Sequence, residues 1–191
     1  MPTRAMRVRP LPLAAVAMAA ALAVSVLCGC SSGGGPAADG PLSSGSSMHG
    51  PIPDGSICVP GGRPQTFGDQ QFTNYGSTAV VLDRVVLLHP HNERLIGSYA
   101  VPGESLIGAP GDWPPKYPGM PPGWQHRQPV HGFRLGPGKT FNMVLGVAAI
   151  TPRGATSQGM LVYYHDSAGA YVARNYFANV IAAASRKQGC L

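Results

Sequence analysis

Acidic residues are scarce in this chain. Only eight Asp and Glu residues occur among 191, and Glu93 and Glu104 are the only glutamates. Their scattered positions give no pair of carboxylates of the kind that glycosidases hold across the bond they cleave. The chain also lacks a phosphate-binding P-loop and a G-x-S-x-G nucleophile elbow, to which GATSQG at 154–159 comes nearest. No catalytic residue is therefore predicted, and we expect a protein that is not an enzyme.

Runs of basic residues are also missing. The net charge is +6, but Arg4, Arg7 and Arg9 belong to an N-terminal export signal, which leaves +3 for the rest. Nucleic-acid-binding proteins usually carry a basic stripe or patch, so nucleic acid is not an expected partner. No cofactor is predicted, and nothing in the sequence indicates an oligomeric state.

A single long apolar run occurs, and it lies at the N-terminus. The run Leu11 to Leu27 follows the basic start and precedes small residues, which is the pattern of a secretory signal. Its end, Leu27-Cys28-Gly29-Cys30, resembles the lipobox of bacterial lipoproteins. The resemblance implies cleavage after residue 29, acylation of Cys30 and attachment to the outer side of the cell membrane. Ordinary signal cleavage and an uncleaved anchor are the alternatives.

The chain has four cysteines. Cys28 would leave with the signal and Cys30 would carry the lipid, so Cys58 and Cys190 remain. An even number of cysteines in an exported protein favours a disulfide. We therefore predict a bond between Cys58 and Cys190, with two free thiols as the alternative.

The remaining chain divides by composition. Residues 30–50 are rich in Ser, Gly, Pro and Ala and have no aromatic residue, so we expect a flexible tether. Residues 51–191 have the usual size of one domain. Within them, Thr140 to Val147 alternates polar and apolar residues, as a half-buried strand does. Further strands are predicted at the following places: Gln65 to Tyr75, Val80 to Leu88, Leu95 to Val101, Met160 to His165 and Tyr171 to Phe177. Ala178 to Lys187 fits either a strand or a helical turn.

These short strands and frequent turns predict an all-β, antiparallel β-sandwich. Three segments resemble bacterial immunoglobulin-like envelope domains of the CARDB type: FTNYGSTAVVLDRVVL at 72–87, FRLGPGKTFNMVLGV at 133–147, and GMLVYYHDSAGAY at 159–171. The resemblance covers about half of the domain and implies an immunoglobulin-like fold. It implies no active site.

A proline-rich insertion, residues 103–128, interrupts the strand pattern. The stretch Pro102 to Pro129 holds eight prolines and both tryptophans, Trp113 and Trp124, together with Tyr117. Because proline fixes φ and removes a backbone donor, we expect an extended, partly polyproline loop. One hypothesis makes Trp113, Tyr117 and Trp124 contact residues for a partner, because rigid aromatics are common interface anchors. The alternative is that the tryptophans pack back on an edge of the sandwich.

Histidines offer one rival function. His89 and His91 would lie on the same face of an extended segment, which suits a metal site, and His131 and His165 could join them. The favoured hypothesis is a non-enzymatic lipoprotein that binds another envelope component, either a protein or a polymer. An exported metal-binding protein that uses His89 and His91 is the first alternative. An enzyme whose site is assembled from distant residues is the second.

Overall fold

The computed structural model describes residues 40–44, 55–104, 108–116, 120 and 122–185. The strands of this part are β1 (Leu42–Ser44), β2 (Ser56–Val59), β3 (Gln65–Asn74), β4 (Val80–Leu87), β5 (Glu93–Pro102), β6 (Gly108–Asp112), β7 (Gln128–Pro129), β8 (Arg134–Leu135), β9 (Thr140–Ala149), β10 (Ala155–Ser157), β11 (Met160–His165), β12 (Ala170–Asn175) and β13 (Ala178–Ile181). A 3-10 helix spans Pro122–His126.

The strands of the described residues form three sheets. The first, called here the β9 sheet, has the order β1-β3-β9-β5-β7, with β6 also paired to β3. The second, the β11 sheet, has the order β12-β11-β4-β8, and the third has the order β10-β13-β2. All pairs between these strands are antiparallel except β13 with β2, which is parallel. The described part of the chain is therefore all-β and sandwich-like, as the strand pattern and turn spacing predict.

The main core lies between the β9 sheet and the β11 sheet. Phe72 and Phe141 come from the former, whereas Leu82 and Val162 come from the latter, and all four belong to one buried cluster. The rings of Phe72 and Phe141 stack with their centroids 5.4 Å apart. Alternation along each strand sends every second side chain into this cluster.

The strands predicted from the sequence are present with small shifts at their ends. The connection between β11 and β12 is a tight hairpin turn in which the Asp166 carboxylate accepts hydrogen bonds from Ala168 N at 2.7 Å and Gly169 N at 3.1 Å. These bonds, the one from Ala168 foremost, lower the pKa of Asp166. The ambiguous segment at 178 is a strand, β13.

One part of the predicted tether belongs to the fold, which corrects the expected boundary. Leu42–Ser44 forms β1 and pairs with β3, and Leu42 is buried. Leu42 N also donates a hydrogen bond to the Tyr164 hydroxyl at 3.0 Å. A free sheet edge supplies backbone partners that composition cannot reveal. Residues 30–39 and 45–50 of the predicted tether lie outside the described residues.

The sequence predicts β9 as a half-buried strand with one exposed face, and this is wrong for the face that lies opposite the core. Eight consecutive residues of β9 are buried, so both faces of the strand are covered. The inner face packs in the core, and residues of the insertion cover the outer face. The insertion is also more regular than expected, because it contains β6, at the edge of the sheet, and the 3-10 helix.

Candidate functional site

Trp113 lies on a gap in the outer face of the β9 sheet. Gly97 of β5 is paired with Gly146 of β9, so neither strand places a side chain at this point. A Cβ added to Gly146 would lie 2.1 Å from Trp113 Cδ2, and one added to Gly97 would lie 2.5 Å from Cζ2. Glycine in a strand often marks a close approach of this kind. The two glycines therefore form the floor on which the indole rests.

Trp124 completes an aromatic cluster over the same face. Its ring meets Tyr99 edge-on at 5.5 Å, and Tyr99 stacks on Trp113 at the same centroid distance. The Arg127 guanidinium lies 4.6 Å from the centre of the Trp124 ring, and Val144 of β9 packs beneath. Such aromatic and cation–π pairs each stabilise a fold by about 0.5–1.5 kcal/mol beyond the contribution of the apolar area that they bury.

This geometry seats both tryptophans against the sheet, whereas their role as contact residues for a partner stays a prediction. Trp124 is 4% exposed and Trp113 is half-buried. The tryptophans do pack back on the sandwich, as the alternative expects, but they lie over the interior strands β5 and β9 and not at an edge. Tyr117, the third predicted contact residue, lies outside the described residues.

The outward surface of the insertion is polar and mostly basic. Five of its exposed residues, called here the insertion surface, are Lys116, Gln125, His126, Arg127 and Gln128, and Gly103, Glu104 and Pro114 are exposed as well. The aromatic cluster fixes the backbone beneath them. Arg127 also donates to the Trp124 carbonyl from its backbone N at 3.1 Å and from Nη1 at 3.2 Å.

A cleft of about 450 Å³ opens beside the aromatic cluster, at the end of the β9 sheet. Two arginines, Arg63 and Arg94, line it together with an otherwise largely apolar wall. That wall contains Ala148, Ala149, Ile150, Pro152, Ala182 and Ala184. We call this feature the arginine cleft. The sequence does not predict this cleft, because its walls come from four segments that are distant along the chain.

Asn92 holds one wall of the arginine cleft in place. Its Nδ2 donates to the carbonyls of Thr151, Arg153 and Gly154 at 2.7–3.3 Å, and its Oδ1 accepts from Thr151 N at 3.0 Å. Asn92 has a φ of 52°, in the left-handed region that asparagine tolerates better than most residues. A loop fixed by several bonds to one side chain presents its outer residues in a defined position.

A group of buried polar side chains takes Gln70 and Glu93 from the β9 sheet, and Ser157 and Asn179 from the third sheet. Gln70 Nε2 donates to Asn179 Oδ1 at 3.4 Å, and Asn179 Nδ2 donates to Ser157 Oγ at 3.3 Å. Glu93, which is 5% exposed, adjoins Ser157. Burial raises the pKa of Glu93 to about 7, and the neighbouring Ser157 side chain acts in the opposite direction.

The histidines of the metal hypothesis lie at the turn between β4 and β5. Both are exposed, and His89 Nδ1 lies 2.8 Å from Gln158 Oε1. His165 and His131 lie elsewhere, both beside Asp83: His165 Nδ1 is 2.9 Å from its carboxylate, and His131 Nδ1 is 3.1 Å from its carbonyl. Within the part of the chain that the structure describes, no three His, Cys, Asp or Glu side chains come together as a metal site would require.

The cysteines leave two predictions open. Cys58 lies in β2, whereas Cys190 and the lipidation residue Cys30 lie outside the described residues. The disulfide and the lipid anchor therefore stay predictions. In the described ranges, no helix has the length and hydropathy needed to cross a membrane.

Comparisons with known proteins give no family. No family model matches the chain, and no curated protein matches it. A solved structure, the secreted serine protease VesC from Vibrio cholerae, is similar at 13% sequence identity and a TM-score of 0.27. The match covers 63% of this chain and 21% of that protein. The chain thus spans about a fifth of the protease, and a likeness this low carries no argument about activity.

Proposed function

We propose that this protein is an exported lipoprotein, anchored through Cys30, whose domain binds another component of the cell envelope. In this proposal the domain has no catalytic role. Its contact area is the insertion surface rather than the two tryptophans, which act as the anchors of that surface.

The observation that carries the proposal is the fixed position of the insertion. Long insertions without a regular core of their own are uncommon in compact domains, and functional loops are a frequent reason for them. Here the seat of Trp113 on Gly97 and Gly146 holds the insertion against the β9 sheet. A surface that is ordered before binding loses less conformational entropy when a partner docks.

The chemistry of the insertion surface suggests the nature of the partner. Lys116, His126 and Arg127 are exposed, and so are the amides of Gln125 and Gln128. Such a surface favours an acidic protein face or an anionic polymer, because charge complementarity guides encounter and orientation. Arg127 is partly engaged by Trp124, so Lys116 and His126 are the residues to change.

Affinity capture from solubilised envelope, quantified by mass spectrometry, tests the proposal. The full-length protein serves as bait in three forms: unaltered, Lys116→Ala/His126→Ala, and a matched control, Lys139→Ala/His131→Ala. The control removes the same residue types from exposed positions outside the insertion. Thermal unfolding of all three forms checks that they are equally folded.

We expect one partner that the unaltered protein and the control retain, and that the insertion variant loses at least about tenfold, equivalent to 1.4 kcal/mol. Equal capture by all three forms would show that the insertion surface is not the contact area. Equal loss in both variants would show a nonspecific dependence on net charge. Release of the protein from membranes without detergent would contradict the lipid anchor.

A further inference from the structure

We propose that the arginine cleft is a binding site for a small amphiphile that has an anionic head, carboxylate or phosphate, on a single aliphatic chain. This inference is independent of the proposed function, because it concerns a different surface and a different class of ligand. Charge, apolar lining, fixed geometry and volume each contribute to it.

The positive charge of the cleft comes from Arg94, which has no acidic partner among the described residues, and from Arg63, which pairs with Asp112. Arg94 is exposed, and no carboxylate pairs with it among the described residues. Its neighbour Glu93 turns into the core, because successive side chains of a strand point to opposite faces. Arg94 therefore offers an uncompensated guanidinium, a group whose planar donors match carboxylate and phosphate oxygens.

Arg63 is held at the other side of the cleft by Asp112. Its Nε lies 2.6 Å from Oδ1, and its Nη1 lies 3.2 Å from Oδ2. Both side chains are about half exposed, so the pair contributes only about 0–1 kcal/mol to stability. Its main consequence is positional, because it fixes the guanidinium at the rim beside β6.

The apolar part of the cleft explains why an inorganic anion alone would be a poor match. Ala148 and Ala182 are buried, whereas Ile150 is 63% exposed at the rim. Ile150 is one of few large exposed apolar side chains in the described residues. A ligand with an aliphatic chain would cover it, at a gain of roughly 0.8 kcal/mol for each CH₂ group that is buried.

The walls of the cleft are set before any ligand binds. Asn92 fixes the loop that carries Ile150, and Ile150 N itself donates to the Asn92 carbonyl at 2.9 Å. On the opposite side, Ala184 N donates to the Pro152 carbonyl at 3.0 Å. A volume of about 450 Å³ lies in the range of small-molecule sites, which suits a single short chain and its head group.

Calorimetric titration of the full-length protein tests this inference. The protein is held in nanodiscs of neutral phosphatidylcholine, and empty nanodiscs supply the background of partitioning. The probes share one aliphatic chain and differ in the head: octanoate, octyl phosphate and the uncharged octyl glucoside. Acetate and inorganic phosphate test the heads alone. The variants are Arg94→Gln, Ile150→Ser and a charge-matched control, Arg174→Gln, which alters an exposed arginine of β12.

We expect saturable binding of octanoate or octyl phosphate, and binding of octyl glucoside at least tenfold weaker. Preference for octanoate would identify a carboxylate ligand, and preference for octyl phosphate a phosphate ligand; either supports the site. Arg94→Gln is expected to weaken binding of the preferred probe about tenfold. Ile150→Ser should weaken the eight-carbon probes while leaving acetate and phosphate unaffected, and Arg174→Gln should change nothing.

Three results would overturn the inference. The first is equal affinity for octyl glucoside, which would mean an apolar surface without head-group recognition. The second is an equal effect of Arg174→Gln and Arg94→Gln, which would mean a general charge effect. The third is no saturable binding of either anionic probe to a protein that unfolds cooperatively.

Discussion

Strand β9 has two buried faces that are covered in different ways. On its inner face, Phe141, Met143, Leu145 and Val147 belong to the buried cluster that also contains side chains of the β11 sheet. On its outer face, Val144 meets Trp124, and Gly146 leaves room for the ring of Trp113. The inner contact joins two sheets, whereas the outer contact joins a sheet to one insertion.

We call the core side of β9 the inner layer and the insertion that covers its other face the outer layer. The difference between them indicates which layer can adjust its packing when a side chain is shortened. An inner position is enclosed by strands that are tied into their sheets, so a lost methyl group leaves a cavity. The outer cover is attached through a few aromatic contacts and short strand pairs, β6 with β3 and β7 with β5. The cost of a cavity depends on how far its surroundings can collapse. The outer layer should therefore adapt more readily than the inner one.

The largest expected effect on stability comes from Glu93, which belongs to the group of buried polar side chains. The pKa of Glu93 is raised from 4.5 to about 7 by burial. The folded state thus favours the neutral carboxyl, so its contribution is full below about pH 4.5 and is lost as the pH rises through about 7. We expect the free energy of unfolding to decrease by up to about 3 kcal/mol over this interval.

Chemical denaturation between about pH 4 and pH 8.5 measures this effect against Glu93→Gln, which cannot ionise. The comparison cancels the titration of the other carboxylates and histidines. The two proteins should differ most above pH 7, where the unaltered protein is the less stable. Parallel stability profiles would contradict the neutral buried carboxyl.

The second prediction compares the two layers with one substitution at two nearby sites. Val147 and Val144 are both fully buried on β9, on the inner and outer faces respectively. Val147→Ala should lower the free energy of unfolding by about 2 kcal/mol, from the methyl groups lost plus a cavity. Val144→Ala should cost about half as much, because the insertion can settle onto the smaller side chain.

Urea denaturation of both variants gives these values. Equal losses would mean that the insertion is packed as rigidly as the opposite sheet. A larger loss for Val144→Ala would reverse the comparison and make the insertion the more essential layer.

Local patterns predicted the inner layer better than the outer one. The alternation from Phe141 to Val147 places the core side of β9 correctly, and the turn signals around Gly76 and Gly138 precede real strands. In sequence, however, Gly97 and Gly146 are single glycines in strands. Their role depends on Trp113, whose position results from contacts between segments far apart in the chain.

The same reason explains what was missed at the candidate sites. The arginine cleft joins Arg63, Arg94, the loop at 149–152 and the segment at 182–184, which no local window contains together. The buried polar group likewise takes one residue from each of β3, β5, β10 and β13. By contrast, the immunoglobulin-like resemblance used consecutive residues and implied a fold without a site, and it stays a prediction beyond the all-β, sandwich-like architecture.

The third prediction tests the seat of Trp113. Gly146→Ala would place a methyl group 2.1 Å from Cδ2 of the indole, so the ring has to move. We expect a loss of about 1.5 kcal/mol in the free energy of unfolding, which is typical of overpacking. The near-ultraviolet circular dichroism of tryptophan should change at the same time.

Gly136→Ala is the control, because its added Cβ would meet no atom nearer than 3.7 Å. It should leave the aromatic spectrum unchanged. An unchanged spectrum for Gly146→Ala as well would mean that the indole does not rest on the glycine floor in solution.

The smallest expected change in stability is at the ion pair between the outer cover and the cleft. Asp112→Asn removes the charge that holds Arg63, and both partners are about half exposed. The free energy of unfolding should fall by less than about 1 kcal/mol, and the difference should shrink further in high salt. If Asp112 positions Arg63 for a ligand, binding of the anionic probes should nevertheless weaken, even though the variant adds a net positive charge. Calorimetry and denaturation on the same preparation separate these effects. Tighter binding in Asp112→Asn would mean that the carboxylate acts as a competitor of the ligand, and the outer layer would then restrain the cleft instead of shaping it.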